Sequence, residues 1–340
     1  MKIGITGVAG FIGSNLADAL IARGHEVVGL DNLSMGSLGN IEHLQGCSEF
    51  AFHKIDVRDL EEMRQAFRSV DCIVHLAAFK IPRYGKAIET LEINSIGGKN
   101  VLELGRDGLR RVVLASTSDI YGKNPAVPFS ETSDSIIGPT TVPRWSYAVS
   151  KLFDEHMALA YHSSYGLPVT ILRFFGSYGP RQHLSWWAGP QSVFISAVLK
   201  DEPVEIHGDG KQTRSFTYIT DLVDGIMRAI EYDREPTAIF NLGNTEEVSI
   251  LELAHLVHEL CATSRPLKLK IVPYASIGGN YEDVMRRIPD ITRARVVLGF
   301  EPCVGLREGL IKTIEWQEAA MGLPLLSRRQ AVHQAVGAGR

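Results

Sequence analysis

The chain has 340 residues, 45% of them apolar and 22% charged, with a formal net charge of −4. That length holds one large α/β core with an added lobe, and the balance is that of an ordinary soluble globular protein. The absence of a long basic block argues against nucleic acid as the main partner and leaves a phosphorylated small molecule open. No apolar run approaches about 18 residues, so no membrane span is expected, and the N-terminus enters a strand pattern with no signal peptide. Cys47, Cys72, Cys261 and Cys303 are scattered and form no C-x-x-C pair. A metal site or disulfide framework is therefore not expected, and a cytoplasmic location fits.

In chain order, Lys2–Thr6 reads as a short buried strand. Residues 12–23 have helical spacing, with Ile12, Leu16, Ala19 and Leu20 on one face and Gly24 as the stop. Between the two stands Gly7-Val8-Ala9-Gly10-Phe11-Ile12-Gly13. A strand, a glycine-rich turn and a helix form a cradle for a pyrophosphate. Gly7 allows the tight turn, Gly10 lets the backbone approach the phosphates, and Gly13 lets the helix pack on the strand. Taken alone the glycine pattern also fits a structural turn; the strand and helix around it favour the nucleotide. The second strand, Glu26–Leu30, ends at Asp31, followed by Asn32. A carboxylate there accepts from both ribose hydroxyls and repels a 2′-phosphate, so NAD is expected rather than NADP.

Further strands are expected at 50–55, 72–76, 111–115 and 168–172, with helices at 59–68, 85–105 and 146–165. Strands alternating with helices of this length imply parallel βαβ units. Just past the strand at 111–115 lies Ser116-Thr117-Ser118-Asp119-Ile120-Tyr121-Gly122. Open α/β sheets bind ligands at such strand ends, where Thr117 could hydrogen-bond a reacting oxygen; an ordinary Ser/Thr turn is the other reading. Tyr147 and Lys151 follow, four apart on a helix and so on one face. A free phenol has a pKa near ~10 and is a poor base. A neighbouring ammonium and a positively charged nicotinamide favour its phenolate, which suits it to take an alcohol proton as hydride leaves the same carbon.

After about residue 175 glycine and proline become frequent and the elements shorten. The expected fold is a Rossmann-type doubly wound parallel sheet with a smaller mixed α/β lobe. Residues 1–175 carry the dinucleotide site and the Tyr/Lys helix, and 176–320 form an interleaved, mainly substrate-binding lobe. Residues 321–340 are expected to be a loose tail. The segment His183-Leu184-Ser185-Trp186-Trp187 reads either as a lid or base-stacking element, or as a surface loop packing its own tryptophans.

Over about residues 1–320 these motifs resemble the extended short-chain dehydrogenase/reductase superfamily, and within it the nucleotide-sugar epimerases, dehydratases and decarboxylases. The resemblance implies cofactor contacts from Gly7, Gly10, Phe11, Ile12, Gly13, Asp31, Asn32, the pair Asp56-Val57, and Leu76-Ala77-Ala78. Lys80 matches a cofactor-contacting lysine of UDP-galactose 4-epimerases, and Tyr147 and Lys151 touch the cofactor as well. On the substrate side it implies Thr117, Ser118, Phe175, Gly176, Ser177 and Arg181, with Arg214, Arg287 and Asp290 near the nucleotide. Arginine forks suit a diphosphate. A homodimer through the helices at about 85–105 and 146–165 is also implied.

The shared first step in these relatives is oxidation of the sugar at C4, with Tyr147 as base and Thr117 and Lys151 beside it. Hydride return to the other face then gives a 4-epimer, loss of water a 4,6-dehydrated sugar, and loss of CO2 a pentose. Dehydratases carry adjacent Asp and Glu after the Thr, where this chain has Ser118 and Asp119. Decarboxylases usually show Thr-Ser-Glu, one methylene longer, and Pro143-Arg144-Trp145 resembles some of them. Lys80, and the lack of need for an extra acid, favour a UDP-sugar 4-epimerase, with UDP-glucose or UDP-glucuronate as substrate. A UDP-glucuronate decarboxylase is second, a dehydratase third, and a nucleotide-sugar sensor without catalysis remains as a different class. Many UDP-sugar enzymes have Asn where this chain has Gly176, so a lost contact and extra room are expected there.

Overall fold

The structure is a computed structural model and describes residues 1–80, 86–109, 111–277 and 281–323. Most of the expected tail, residues 324–340, lies outside the described residues. The first half alternates as expected: β1 (Lys2–Thr6), α1 (Phe11–Ala22), β2 (Glu26–Leu30), β3 (Phe50–His53), α2 (Leu60–Ala66), β4 (Cys72–His75), α3 (Ala87–Arg106), β5 (Arg111–Thr117), α4 (Trp145–Tyr165) and β6 (Val169–Phe174). Ile3, Ile5, Ile73, Val74, Val112 to Leu114, Ile171 and Leu172 are fully buried. Such continuous apolar runs are what helices on both faces of a parallel sheet require.

The second half supplies β7 (Gly176–Tyr178), α5 (Pro190–Leu199), β8 (Val204–His207), β9 (Thr213–Tyr218), α6 (Ile219–Glu231), β10 (Thr237–Leu242), β11 (Glu247–Ser249), α7 (Ile250–Leu260), β12 (Leu269–Val272), β13 (Arg286–Arg287) and α8 (Leu306–Ala320). Seven strands form one sheet in the order β10-β6-β5-β4-β1-β2-β3, parallel throughout. This is a Rossmann-like sheet. Its last strand comes from beyond residue 175, with Thr237 opposite Val169 and Leu242 opposite Phe174. Helix α6 also lies against α1. The remaining strands form small sheets: β7, β11 and β13 all pair with β9, and β12 pairs with β8.

The strand order reverses between β1 and β4, and ligands bind at such a switch point. Two strands run further toward it than their apolar patterns predict. β5 reaches Thr117 and β6 reaches Phe174, with Ser116 opposite Arg173 and Thr117 opposite Phe174. The polar residues are tolerated because α4 supplies partners. Glu155 accepts from Ser116 Oγ at 2.5 Å and pairs with Arg173 Nη2 at 2.7 Å. Arg173 Nη1 also donates to Tyr121 Oη at 3.0 Å, which itself donates to Asn241 at 2.7 Å. A buried network satisfied in this way fixes the end of the sheet.

Among the described residues no helix is long and apolar enough to cross a membrane.

Candidate active site

A cavity of about 520 Å³ runs along the C-terminal ends of the central strands and opens toward the small sheets. Most of the residues expected at the site line it: Gly7, Gly10, Phe11, Ile12, Gly13, Asp31, Asn32, Val57, Leu76, Ala77, Ala78, Lys80, Thr117, Ser118, Tyr147, Lys151, Phe175, Gly176, Ser177, Arg214 and Arg287.

At the β1–α1 turn Gly7 has φ +75°, and a Cβ there would stand 2.9 Å from the Ala77 nitrogen. A Cβ on Gly13 would collide with the Gly7 carbonyl. The turn is therefore pressed against β4 and α1, leaving the first N–H groups of α1 facing the cavity. Asp31 closes the far side: its Oδ2 accepts from Ala9 N at 3.1 Å and its Oδ1 from Leu33 N at 2.8 Å. Burial pushes its carboxyl up, and those two N–H groups oppose the shift. Under the turn, His75 Nδ1 lies 2.7 Å from Thr6 Oγ1. Burial, aided by Lys151, holds this imidazole down at about 3, so it is neutral. Glycines that a Cβ would jam and a carboxylate at the end of β2 fit a dinucleotide with free ribose hydroxyls. Asp56 stands just outside the cavity, 2.9 Å from Asn32 Nδ2 and paired with Arg58 at 2.8 Å.

In the middle of the cavity the end of β5 meets the first turns of α4. Thr117 Oγ1 accepts from Asp119 N and donates to Asp119 Oδ2, both at 3.2 Å. The Thr117 hydroxyl is near enough to the Tyr147 phenol to favour its ionised form. Burial raises the phenol above its ordinary pKa, and the Asp119 charge raises it further. Without added positive charge Tyr147 is a neutral donor. Lys151 does not supply that charge by direct contact: its Nζ lies 3.4 Å from Asp154 Oδ2, a partner that the Tyr/Lys spacing does not suggest.

The third part is a cluster of charges. Asp119 Oδ1 lies 2.9 Å from Arg287 and 3.4 Å from Arg144. Burial would raise its carboxyl, but the two guanidiniums outweigh burial and hold it at about 2. Asp283 joins Arg144 at 2.8 Å and Arg214 at 2.9 Å. Three arginines thus share two carboxylates, leaving one net positive charge for an anionic ligand. Asp283, Tyr281 and Gln212 escape sequence reasoning because they come from loops without a motif.

Three expectations fail here. Arg181 is not in the cavity: its side chain pairs with Asp18 of α1 at 2.6 Å and ties the segment after β7 to that helix. Asp290 also lies away from it, capping the next turn through Thr292 N at 2.9 Å while its backbone bridges to Phe129. Gly176 gives no extra room, because a Cβ there would stand 2.8 Å from the Phe216 ring and 2.9 Å from the Ser215 carbonyl. The space is filled by β9. Of the two readings of the tryptophan segment, the structure shows a cavity wall. Trp186 stacks on His207 at 4.4 Å, and Trp187 meets Phe79 edge-on at 4.9 Å. Both line the cavity.

A parallel sheet with a glycine turn at its switch point, and a Thr/Tyr/Lys group at the next strand end, define the extended short-chain dehydrogenase/reductase class. Within that class, a family model described as GDP-mannose 4,6 dehydratase matches residues 5–313, and the chain belongs to that family. It is 38% identical over 315 residues to the UDP-N-acetyl-alpha-D-glucosaminuronate decarboxylase of Bacillus cytotoxicus, covering 92% of this chain and 96% of that protein. The UDP-glucuronic acid 4-epimerase of Bacillus cereus, solved with UDP-glucuronic acid and NAD, superposes with a TM-score of 0.83 at 31% identity. That match covers 94% of this chain and all of the other. The UDP-glucose 4-epimerase of Thermotoga maritima, solved with UDP-glucose, gives 0.84 at 31% with the same coverage. Family and fold are therefore those of nucleotide-sugar enzymes, with decarboxylases among the sequence relatives and 4-epimerases among the structural ones.

Proposed function

We propose that the chain is an NAD-dependent decarboxylase of a UDP-linked uronic acid. The observation that carries this reading is Asp119. On oxidation at C4 a uronic acid becomes a β-keto acid, which loses CO2 unless its carboxylate is held. An epimerase acting on such a sugar has to hold that group with free donors. At the turn after Thr117 the donors are already engaged by an anion of the protein's own, since Arg287, Arg144 and Thr117 all serve Asp119. A substrate carboxylate meets negative charge there, and its loss relieves the repulsion. The decarboxylase named above supports the same order, so the epimerase that the sequence favoured moves to second place.

Residues 1–175 supply the dinucleotide side of the site in this reading, and 176–320 chiefly the sugar-nucleotide side. Gly7, Gly10, Gly13, Asp31 and Lys151 would hold NAD, which is also present in the Bacillus cereus structure. When bound, NAD would supply a reversible hydride acceptor for C4 of the sugar. Tyr147 takes the O4 proton, and its regenerated phenol donates to O4 when CO2 departs and negative charge moves onto that oxygen. A proton from water replaces CO2 at C5. Thr117 aligns the phenol, and Arg214 and Arg287 offer forks to the diphosphate.

The test is the mass of the product from UDP-glucuronate and from UDP-N-acetylglucosaminuronate. A product lighter by one CO2 is expected. An isomer of unchanged mass from either acid, or from UDP-glucose, would replace this reading with the 4-epimerase. That second reading is favoured by the solved neighbours and by the neutral donors Ser118 and Ser177 in the same cavity.

The active form is proposed to be a homodimer. Ile88, Leu91 and Ile96 of α3 and Val149 and Phe153 of α4 are all at least 40% exposed on the outer face of this helix pair. An apolar stripe across two helices is characteristic of an interface. Light scattering is expected to give twice the chain mass, and Phe153→Lys to give the monomer. A monomeric wild type at micromolar concentration would end this proposal.

A further inference from the structure

Lys151 is 2% exposed, and the carboxylate beside it is Asp154 on the next turn, itself 1% exposed. Asp154 does not line the cavity and touches neither cofactor nor sugar space. Its Oδ2 faces the Lys151 ammonium at 3.4 Å. Its Oδ1 is buried and has no hydrogen-bond partner among the described residues. That oxygen faces Gly98 of α3, where a Cβ would stand only 2.7 Å away. The helix pair thus leaves a notch that admits a carboxylate, at a cost that an alanine in the same place would not carry.

We infer that Asp154 is a positioning residue for Lys151, the counter-charge that holds the buried ammonium in place on the catalytic helix. This rests on the reading of Tyr147 and Lys151 as the catalytic pair. An ammonium taken out of water gives up its proton unless a counter-charge offsets the lost solvation. The other groups facing this pair do not supply that charge. Glu155 on the same helix is committed to Arg173 and Ser116. His75 from β4 is neutral, and Tyr147 carries a raised phenol. Asn94 of α3 is uncharged and bonds Ser150 and Phe79. Burial also pushes the Asp154 carboxyl up, to about 6, against the pull of Lys151. A folded-state value above the unfolded one means that stability is lost as pH climbs from the ordinary carboxylate range through about 6. The chain gives up stability at neutral pH to keep this anion.

Asp154→Asn keeps the shape and removes the charge. The alkaline limb of kcat is expected to move down by about one pH unit or more, with KM for the nucleotide sugar unchanged, and Asp154→Glu is expected to restore part of the shift. A second measurement needs no activity: unfolding midpoints of wild type and variant from pH 4 to about 9. Relative to wild type, the variant is expected to gain stability as pH rises through about 6. It should gain again on the alkaline side, where its unpaired lysine binds fewer protons than the unfolded chain does. Gly98→Ala, which crowds Oδ1, is expected to move the kcat limb the same way by less; its midpoint curve should instead lose more stability than wild type as pH rises through about 6, because the added methyl raises the carboxyl further. Parallel midpoint curves, or a kcat profile that superposes on wild type, would reduce Asp154 to a packing residue. If Tyr147→Phe retains turnover, the catalytic pair itself is wrong, and the midpoint curves still report the coupling of Lys151 and Asp154 independently.

Discussion

Tyr147→Phe is expected to lower kcat by roughly 10²–10⁴-fold, the usual contribution of a positioned general base. The ring keeps its packing against the end of β5, so the fold and the dinucleotide site should be intact. The hydroxyl that is lost is the phenol that stands with Thr117 in the cavity lining. In the free protein burial and Asp119 hold this phenol above its ordinary pKa. The base therefore becomes competent only when positive charge is brought beside it, and proton removal is tied to cofactor binding. The measurement is turnover with NAD binding in parallel. Binding should match wild type while turnover disappears. Turnover within a few-fold of wild type would remove Tyr147 from the mechanism and restore the sensor reading to consideration.

Asp119→Asn is expected to have the second large effect and to divide the two enzyme readings. It keeps the hydrogen-bond geometry with Thr117 but removes the charge that meets the substrate carboxylate. Release of CO2 should fall by about 10²-fold, in the range of losing one electrostatic contact at a reacting centre. Arg287, no longer paired, and Arg144, left with Asp283 alone, should bind the acid more tightly, so KM falls with kcat. Isomeric product should rise as the 4-keto sugar survives long enough to turn over. The carboxyl is held at about 2, so its ionisation is complete from mildly acid to alkaline pH. Any acid limb in the wild-type profile must then come from another group. Unchanged CO2 release in the variant would show that Asp119 only braces the arginines.

The parts of this site that were legible in the sequence share a physical cause. Gly7, Gly13, Asp31, Tyr147 and Lys151 act through local geometry, a turn or one helical repeat, so spacing alone places them. The strands β1, β2, β4 and β6 were legible because burial on both faces leaves mainly apolar residues. What failed depended on distant contacts. Arg181 carries the right charge for a diphosphate, yet its direction is set by Asp18 on a helix 163 residues earlier. Gly176 reads as space until β9 pairs alongside and puts Phe216 into it. Asp119 was recognisable as unusual, but its inward orientation depends on Arg287 from β13. Asp154 sits in plain view within the Tyr/Lys helix, and its meaning needs the notch at Gly98.

The seventh strand carries a consequence for how the molecule is made. Residues 237–242 complete the sheet next to β6, which ends at Phe174. During synthesis β6 leaves the ribosome more than sixty residues ahead of its outer neighbour, with a row of unpaired N–H and C=O groups and a bare apolar flank. Until β10 arrives that edge can pair with another nascent chain as readily as with its own. A gene fragment ending near residue 175 would keep every motif of the dinucleotide site and still yield an open-edged, aggregation-prone polypeptide.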